Sequence, residues 1–213
     1  MVDYPIENLE LKKYVVGYNK ETFVYDLYGR AIQVVYPGSG RILTTEYDGN
    51  SDLTLGKIYK NSDDSGTTEY QYDQIGRVTQ VKKEILGKTY SSSYQFDILG
   101  NVTKMTDPTG RSNEYVYDEL NRVTQLYRQL PNGGKILIAQ YEYNPDNSIK
   151  KLAYGNGVVA QYTYDIAGRP IKIEQTDRNQ KLVFSHEYSY DPAGNRIGLK
   201  YQDAFQKEPK TIS

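Results

Sequence analysis

At 213 residues, with 38% hydrophobic side chains and a mean hydropathy of −0.73, the chain has too little apolar material for one thick core. Its 26 Lys and Arg balance 27 Asp and Glu without a long basic run, which argues against nucleic acid or an anionic membrane as a partner. The absence of cysteine excludes disulfides, cysteine metal sites and thiol nucleophiles.

The N-terminal residues, Met1 to Lys13, contain Asp3, Glu7 and Glu10 and lack the apolar segment of a secretion signal. No stretch of about 20 apolar residues occurs further along the chain. We therefore expect neither self-encoded export nor a membrane-inserted segment. We interpret Met1 as the start of a fragment of a longer protein.

From residue 23 onward the chain is repetitive, and the repeat is marked by an aromatic residue followed by Asp or Asn. The eight anchors are Tyr25-Asp26, Tyr47-Asp48, Tyr72-Asp73, Phe96-Asp97, Tyr117-Asp118, Tyr143-Asn144, Tyr164-Asp165 and Tyr190-Asp191. Successive anchors are 21 to 26 residues apart. This interval is typical of proteins built from stacked repeats.

Two further positions recur relative to the anchor, and they predict the local structure of the repeat. An aromatic residue stands two positions before seven of the eight anchors, which places both rings on one face of a β-strand. Gly or Asn stands four positions after seven anchors, so that Asp-x-x-Gly or Asp-x-x-Asn matches a type I turn. Each repeat is therefore predicted to turn the chain back on itself.

A return strand is predicted after each turn. Arg follows the turn in four repeats, at Arg30, Arg77, Arg122 and Arg169, and β-branched or apolar residues come next. The apolar positions are three apart, which indicates either a β-bulge or apolar groups on both faces. More variable loops, such as Asp107-Pro108-Thr109-Gly110, then lead to the next repeat.

These patterns predict an all-β fold over residues 1–213, organised as a single array of β-hairpins. It has one hairpin per repeat, about sixteen antiparallel strands and no convincing helix. The second repeat has Ser51 where the glycine belongs and Thr45 in place of the preceding aromatic residue. We therefore expect a local irregularity between Tyr47 and Lys60.

None of the residue types that carry chemistry forms a convincing site. The repeated Asp is better explained by turn capping than by a calcium ladder or paired catalytic carboxylates, because each has its own turn to stabilise. Asp63-Asp64 reads as a solvated loop, and the lone His186 lacks partners for a metal site or a catalytic triad. The sequence predicts no catalytic, cofactor-binding or metal-binding residue, no cofactor and no enzymatic activity.

The abundance of tyrosine allows a second interpretation. Thirteen of the 23 Tyr occupy the two aromatic columns, which cross-strand packing between hairpins explains. The same ladder of rings would serve as a carbohydrate-binding or cell-surface adhesion face if the rings stood open to solvent. Whether the rings are covered or open distinguishes a scaffold from a glycan-binding module.

The segment Tyr72-Asp73-Gln74-Ile75-Gly76-Arg77-Val78-Thr79 resembles the YD repeats of the RHS family, as do the segments starting at Tyr117 and Tyr164. Gly100 to Gly110 resembles the family's fuller repeat, with its Asp-Pro-x-Gly turn. The resemblance covers roughly residues 23 to 200. The family includes bacterial RHS polymorphic toxins, wall-associated toxin proteins, the C component of insecticidal toxin complexes and the animal teneurins.

In those relatives the repeats wind as a spiralling β-sheet into a hollow shell, which in the bacterial toxins encloses a C-terminal toxin domain. The resemblance implies that this chain is one continuous curved sheet from such a wall, secreted or at the cell surface. Its partners would be the rest of the shell and the enclosed toxin, and its two free strand edges would favour edge-to-edge self-association. The chain departs from the full-length pattern in two ways: we expect no toxin domain after Ser213, and Asp191-Pro192-Ala193-Gly194-Asn195 has Asn where the family's self-cleavage motif has Leu.

Overall fold

Antiparallel β-strands dominate the computed structural model of the chain, which describes residues 12–16, 21–49, 51–205 and 208–212. The strands are β1 (Lys12–Val16), β2 (Glu21–Tyr25), β3 (Ala31–Val35), β4 (Ile42–Tyr47), β5 (Ile58–Asp63), β6 (Gly66–Tyr72), β7 (Val78–Ile85), β8 (Lys88–Phe96), β9 (Val102–Thr106), β10 (Ser112–Tyr117), β11 (Val123–Gln129), β12 (Lys135–Tyr143), β13 (Ile149–Tyr154), β14 (Val159–Tyr164), β15 (Pro170–Thr176), β16 (Leu182–Tyr190), β17 (Arg196–Asp203) and β18 (Lys210–Ile212). The described residues contain no α-helix. The predicted all-β class is confirmed.

Contacts divide the chain into two compact units. The first comprises Met1–Gln95 and Met105–Gly110, and the second comprises Phe96–Lys104 and Arg111–Ser213. In the first unit, each strand from β1 to β8 pairs antiparallel with the next one along the chain. In the second unit, the same holds from β10 to β18. Both units are therefore hairpin ladders with local connections.

The repeat anchors coincide with strand ends. Every anchor aromatic residue, from Tyr25 to Tyr190, is the last residue of an even-numbered strand between β2 and β16. The prediction of one hairpin per repeat is therefore confirmed. The described residues form eighteen strands, two more than the predicted number of about sixteen, because β1 and β18 lie outside the anchored repeats.

The turn after seven of the eight anchors has the predicted backbone. The Gly or Asn four residues after the anchor has a positive φ in all seven repeats that contain one: Gly29 (76°), Gly76 (89°), Gly100 (91°), Asn121 (59°), Asn147 (70°), Gly168 (77°) and Gly194 (89°). Its N–H donates to the carbonyl of the Asp or Asn of the anchor in each case. Gly and Asn are the residues that tolerate this left-handed conformation at least cost.

A β-bulge follows seven of the eight turns and explains the three-residue spacing of the apolar positions. In the third repeat Tyr72 pairs with Val78 and Gln71 pairs with Gln80, so Thr79 has no partner of its own. Tyr70 then pairs with Val81. The bulge returns both valines to the face that carries the two tyrosines. The same register shift occurs beside Tyr25, Tyr47, Tyr117, Tyr143, Tyr164 and Tyr190.

The second repeat is irregular, as its sequence predicts. A 3-10 helix of three residues, Asp52–Thr54, replaces the tight turn, and Ser51 caps it by accepting a hydrogen bond from the Leu53 N–H. Asp48 itself takes a positive φ of 54°. Its carboxylate accepts a hydrogen bond from the Gly56 N–H, which closes the longer loop.

Burial is shallow, as the composition predicts. Ala139, Leu152 and Ala160 are the buried hydrophobic residues among those described, and they form a cluster in the second unit. Leu126, Tyr141 and Tyr162 pack against this cluster and are partly buried. Most other apolar side chains are half-buried, so contacts between neighbouring hairpins must supply much of the stability.

Candidate functional site

The Asp of each anchor holds its own turn. In the fifth repeat, Oδ1 of Asp118 accepts hydrogen bonds from the backbone N–H of Leu120 and of Arg122, both at 3.0 Å. Its Oδ2 accepts a hydrogen bond of 2.8 Å from Nε of Arg122. The turn-capping interpretation is confirmed. Asp26, Asp73 and Asp165 repeat the pattern with Arg30, Arg77 and Arg169, while Asp97 and Asp191 use the side-chain amides of Asn101 and Asn195.

These bonds stabilise the charged carboxylates. The side-chain bond from Arg122, followed by the bond from its backbone N–H, lowers the pKa of Asp118 below its ordinary value. The side-chain amide of Asn195 does the same for the pKa of Asp191. Asp118 and Asp191 are therefore ionised at neutral pH, with their oxygens occupied by donors of their own repeat.

The arginines that follow the turns also reach the next repeat. The guanidinium of Arg122 lies 4.6 Å from the ring centroid of Tyr143, and its Nη1 donates a hydrogen bond of 2.9 Å to Asn147 Oδ1. In the second unit, Arg169 likewise lies 4.7 Å from the ring of Tyr190. One arginine thus joins the Asp of its own turn to the aromatic ring of the following hairpin.

The first unit uses the same contact. Arg30 lies 4.4 Å from the ring of Tyr47, and its Nη2 donates to Asp48 at 2.6 Å. The hydrogen bond to Asp48 is the largest of the effects that raise the pKa of Arg30. In the irregular second repeat Lys57 takes the place of arginine, with its Nζ 5.3 Å from the ring of Tyr72.

The tyrosine hydroxyls make the reciprocal contact with the preceding repeat. Six of them donate a hydrogen bond to a backbone carbonyl of the preceding repeat. The acceptor is the first residue of that repeat's return strand. The pairs are Tyr47 to Ala31 (3.2 Å), Tyr72 to Ile58 (2.6 Å), Tyr117 to Val102 (2.8 Å), Tyr143 to Val123 (2.7 Å), Tyr164 to Ile149 (2.9 Å) and Tyr190 to Pro170 (2.9 Å). A half-buried phenol needs such an acceptor, and this explains why the anchor is tyrosine.

Burial raises the pKa of several anchor tyrosines above the ordinary value, among them Tyr72, Tyr117 and Tyr164. The hydroxyls therefore stay protonated and remain donors across the neutral range. Together, the anchor Tyr, the anchor Asp or Asn and the Arg, Lys, Asn or Ser that precedes the return strand form what we call the YD clamp. It lies between neighbouring hairpins within each unit.

The other residues singled out from the sequence lie apart from this clamp. Asp63 accepts hydrogen bonds from Ser65 and Arg41, and the bond from the Ser65 side chain contributes most to lowering its pKa. His186 is half-buried, 4.8 Å from the ring of Phe184 and 6.5 Å from that of Tyr201. No group of three or more His, Asp or Glu suited to a metal ion occurs among the residues that the structure describes.

The contacts of the clamp between neighbouring hairpins were not predicted from the sequence. The sequence showed Arg after the turn in four repeats but did not indicate a partner for it. Its contact with the next tyrosine depends on hairpins lying side by side, which no local pattern reveals. The tyrosine-to-carbonyl bonds had one faint signal, the preference for Tyr over Phe at the anchor.

Residues 97–135 match the family model described as RHS Repeat. This segment begins at the Asp of the fourth anchor and contains the whole fifth anchor, Tyr117-Asp118, and the other anchors also end strands of β-hairpins. Residues 97–135 are therefore similar to the RHS repeat, and the chain is an array of YD hairpins. No curated protein matches the sequence significantly.

Solved structures show the same fold for most of this array. The crystal structure of TcdB2-TccC3 matches 87% of it with 18% identity and a TM-score of 0.70. A structure of the Photorhabdus luminescens Tc holotoxin pore matches 90% with 17% identity and a TM-score of 0.70. The array spans only 12% of the length of each of these chains. Within its described residues, no helix has the length and apolar character needed to cross a membrane.

Proposed function

We propose that this YD array is a structural element, a segment of β-sheet wall from a larger RHS shell. The YD clamp is the observation that carries this proposal. It uses the anchor Tyr hydroxyls and the Arg guanidiniums in contacts between neighbouring hairpins, and the Asp oxygens in bonds within each turn. The most regular polar groups of the chain are thus used to hold repeats together rather than to meet a substrate.

In this proposal the array is one segment of a longer protein. It spans about an eighth of the matched chains, and a β-ladder of this kind has strand edges that further repeats can continue. Residues 1–213 then form a single array within the shell of the parent. That shell encloses a C-terminal toxin or effector, is secreted or cell-surface, and has no enzymatic activity in this segment.

Small-angle X-ray scattering of the isolated chain tests the wall. A curved plate one sheet thick gives a radius of gyration clearly above the roughly 17 Å expected for a compact 213-residue domain. A compact scattering envelope would mean that the sheet closes on itself, and the wall proposal would be wrong. The clamp variant Arg122→Ala, compared with Arg128→Ala on the exposed part of β11, shows whether the clamp sets the dimensions.

Glycan binding is the second candidate, and one feature of the first unit favours it. A cavity of about 300 Å³ beside the 3-10 helix is lined by Tyr59, Tyr70 and Tyr72, with Ser51 and Gln71 as polar groups. Aromatic rings with a few polar groups are what a sugar site requires. The anchor rings elsewhere are less suited, because Arg30, Arg122 and Arg169 already cover one face of the ring in the next repeat.

A screen of immobilised oligosaccharides tests this candidate. Binding that is lost in Tyr59→Ala and kept in Tyr90→Ala, an exposed tyrosine outside the cavity, would support a sugar site in the second repeat. If no oligosaccharide binds at millimolar concentration, or if both variants bind equally, the cavity is only the packing defect left by the irregular turn.

A further inference from the structure

A row of polar side chains crosses the aromatic face of the first unit. Thr45 pairs with Asn61 across β4 and β5, and Asn61 pairs with Thr68 across β5 and β6. Thr68 in turn pairs with Lys83 of β7. Residues paired in this way project from the same face of a sheet. Because Thr68 stands two positions before Tyr70, this face is the one that carries the repeated tyrosines.

The equivalent row of the second unit is largely apolar. There the register positions of the first three members are taken by Tyr141, Leu152 and Ala160. Leu152 and Ala160 belong to the buried cluster of that unit, and Tyr141 packs against it. The first unit thus has polar side chains on three successive strands where the second unit has its core. These side chains forgo the apolar burial that stabilises the second unit, so folding stability does not explain the row.

Much of the hydrogen-bonding capacity of the row is unused. The Oδ1 of Asn61 accepts a hydrogen bond of 2.9 Å from the hydroxyl of Thr45. Within the part of the chain that the structure describes, the side-chain N–H groups of Asn61, the hydroxyl of Thr68 and the ammonium of Lys83 have no hydrogen-bond partner. Neighbouring strands lie about 4.8 Å apart, so one small molecule can contact all three groups.

A cavity of about 280 Å³ opens at this row, beside the turn between β5 and β6. Two of its lining residues are cationic and two carry carboxylates: Arg41, Lys83, Asp63 and Glu84. Arg41 forms an ion pair with Asp63, which leaves Lys83 and Glu84. These two are successive residues of β7 and project from opposite faces of the sheet. A molecule on the aromatic face therefore meets the positive charge of Lys83.

These groups define the chemistry of the ligand. One unpaired ammonium matches a single negative charge, and the amide and hydroxyl beside it match hydroxyl groups. Among the described residues of the lining there is no second unpaired cation for a doubly charged phosphate. Leu43 adds an apolar contact for a carbon skeleton. A small carboxylate with hydroxyl groups next to it meets all these conditions.

We infer that the polar row of Asn61, Thr68 and Lys83 is a binding site for a small hydroxylated carboxylate, either a sugar acid or a hydroxy acid. Lys83 binds the carboxylate, while Asn61 and Thr68 hydrogen-bond to the hydroxyl groups. The site is separate from the cavity lined by Tyr59, and it does not depend on the role of the array as a wall.

Titration of the full chain with sodium D-glucuronate or sodium lactate, followed by NMR, tests the inference. At least one of the two acids binds with a dissociation constant of about 1 mM, and the side-chain amide of Asn61 shifts. The two acids distinguish a sugar acid from a hydroxy acid. D-glucose lacks the carboxylate and acetate lacks the hydroxyls, so each binds at least about 10-fold more weakly.

Substitutions on the two faces of β7 locate the site. Lys83→Gln removes the charged donor and weakens binding at least about 10-fold. Lys82→Gln is the matched control, because Lys82 is the preceding residue, projects from the opposite face and lies 3.6 Å from Glu69. It leaves binding unchanged, as does Tyr59→Ala in the separate cavity.

A double variant distinguishes a binding row from a structural one. Asn61→Leu with Thr68→Ala gives the row the residues of the second unit, so binding is lost while the melting temperature stays equal or rises. The inference is overturned if the wild type binds neither acid, or if the Lys82 and Lys83 variants bind equally. A melting temperature lowered by the double variant also overturns it, because the row then serves the fold. None of these outcomes changes the scattering test of the wall.

Discussion

The phenolic hydroxyl is the part of the anchor tyrosine that phenylalanine cannot replace. In the sixth repeat this hydroxyl, on Tyr143, donates a hydrogen bond of 2.7 Å to the backbone carbonyl of Val123. Tyr143→Phe removes this donor and keeps the ring, so we expect a loss of about 1 kcal/mol in the free energy of unfolding. Urea denaturation of the two proteins measures it.

Tyr28→Phe is the matched control for that measurement. Its ring is 83% exposed at the tip of the first turn, and the change is expected to alter the free energy of unfolding by less than about 0.5 kcal/mol. Equal losses in the two variants would mean that the hydroxyl of Tyr143 makes no stabilising bond.

The lowered pKa values of the turn aspartates make stability depend on pH. Folding lowers the pKa of Asp118, chiefly through Arg122, and also that of Asp165 and Asp191. Their contribution is therefore fully present above the unfolded pKa of about 3.9 and is lost as the pH falls through the lower folded values. Thermal melts should show a constant melting temperature between about pH 5 and 8 and a decline below about pH 4.

At high pH the tyrosines make stability fall as the pH rises. Burial raises the pKa of Tyr117 and Tyr164, so their contribution is present below the unfolded pKa of about 10 and is lost as the pH rises through the folded values. A melting temperature that stayed constant from pH 2 to pH 12 would contradict both arguments.

At the level of the hairpin, the turn depends on one left-handed residue. Gly168 has a φ of 77°, and a β-carbon built there meets no atom within 4 Å. Gly168→Ala therefore introduces only backbone strain, for which we expect a cost of about 1 kcal/mol. Gly168→Asn should cost less than half as much, because Asn already fills the equivalent position at Asn121 and Asn147. If urea denaturation gave Gly168→Asn a lower free energy of unfolding than Gly168→Ala, this account would be contradicted.

Most of the hairpin could be predicted from sequence, because its signals are local. Asp118 and Asn121 together mark the turn, and Tyr115 and Tyr117 mark the face of the preceding strand. The bulge could not be settled, since Val78 and Val81 fit either a bulge or a strand with two apolar faces. β1 and β18 were missed as strands because no YD turn adjoins them. The contact between Arg122 and Tyr143 joins residues 21 apart and follows only from the lateral placement of hairpins.

For the molecule as a whole, stability is distributed over many half-buried contacts with one denser region. Leu152 is 9% exposed and packs with Ala139 and Ala160 in the second unit. Leu152→Ala leaves a cavity there, and we expect a loss of about 2 to 3 kcal/mol in the free energy of unfolding. Ile197→Ala, at the exposed bulge of the last repeat, should cost less than about 0.5 kcal/mol. Similar losses in thermal denaturation would mean that the cluster is not a core.

The YD clamp has a direction. Arg30 reaches forward to Tyr47, and the hydroxyl of Tyr47 reaches back to Ala31, so the contact joins the front of one hairpin to the back of the next. A head-to-tail contact of this kind has no built-in stopping point. A duplication or deletion of one whole unit in the gene would preserve every remaining junction. The length of such an array can therefore drift over generations in steps of one hairpin, while the geometry of each joint stays under selection.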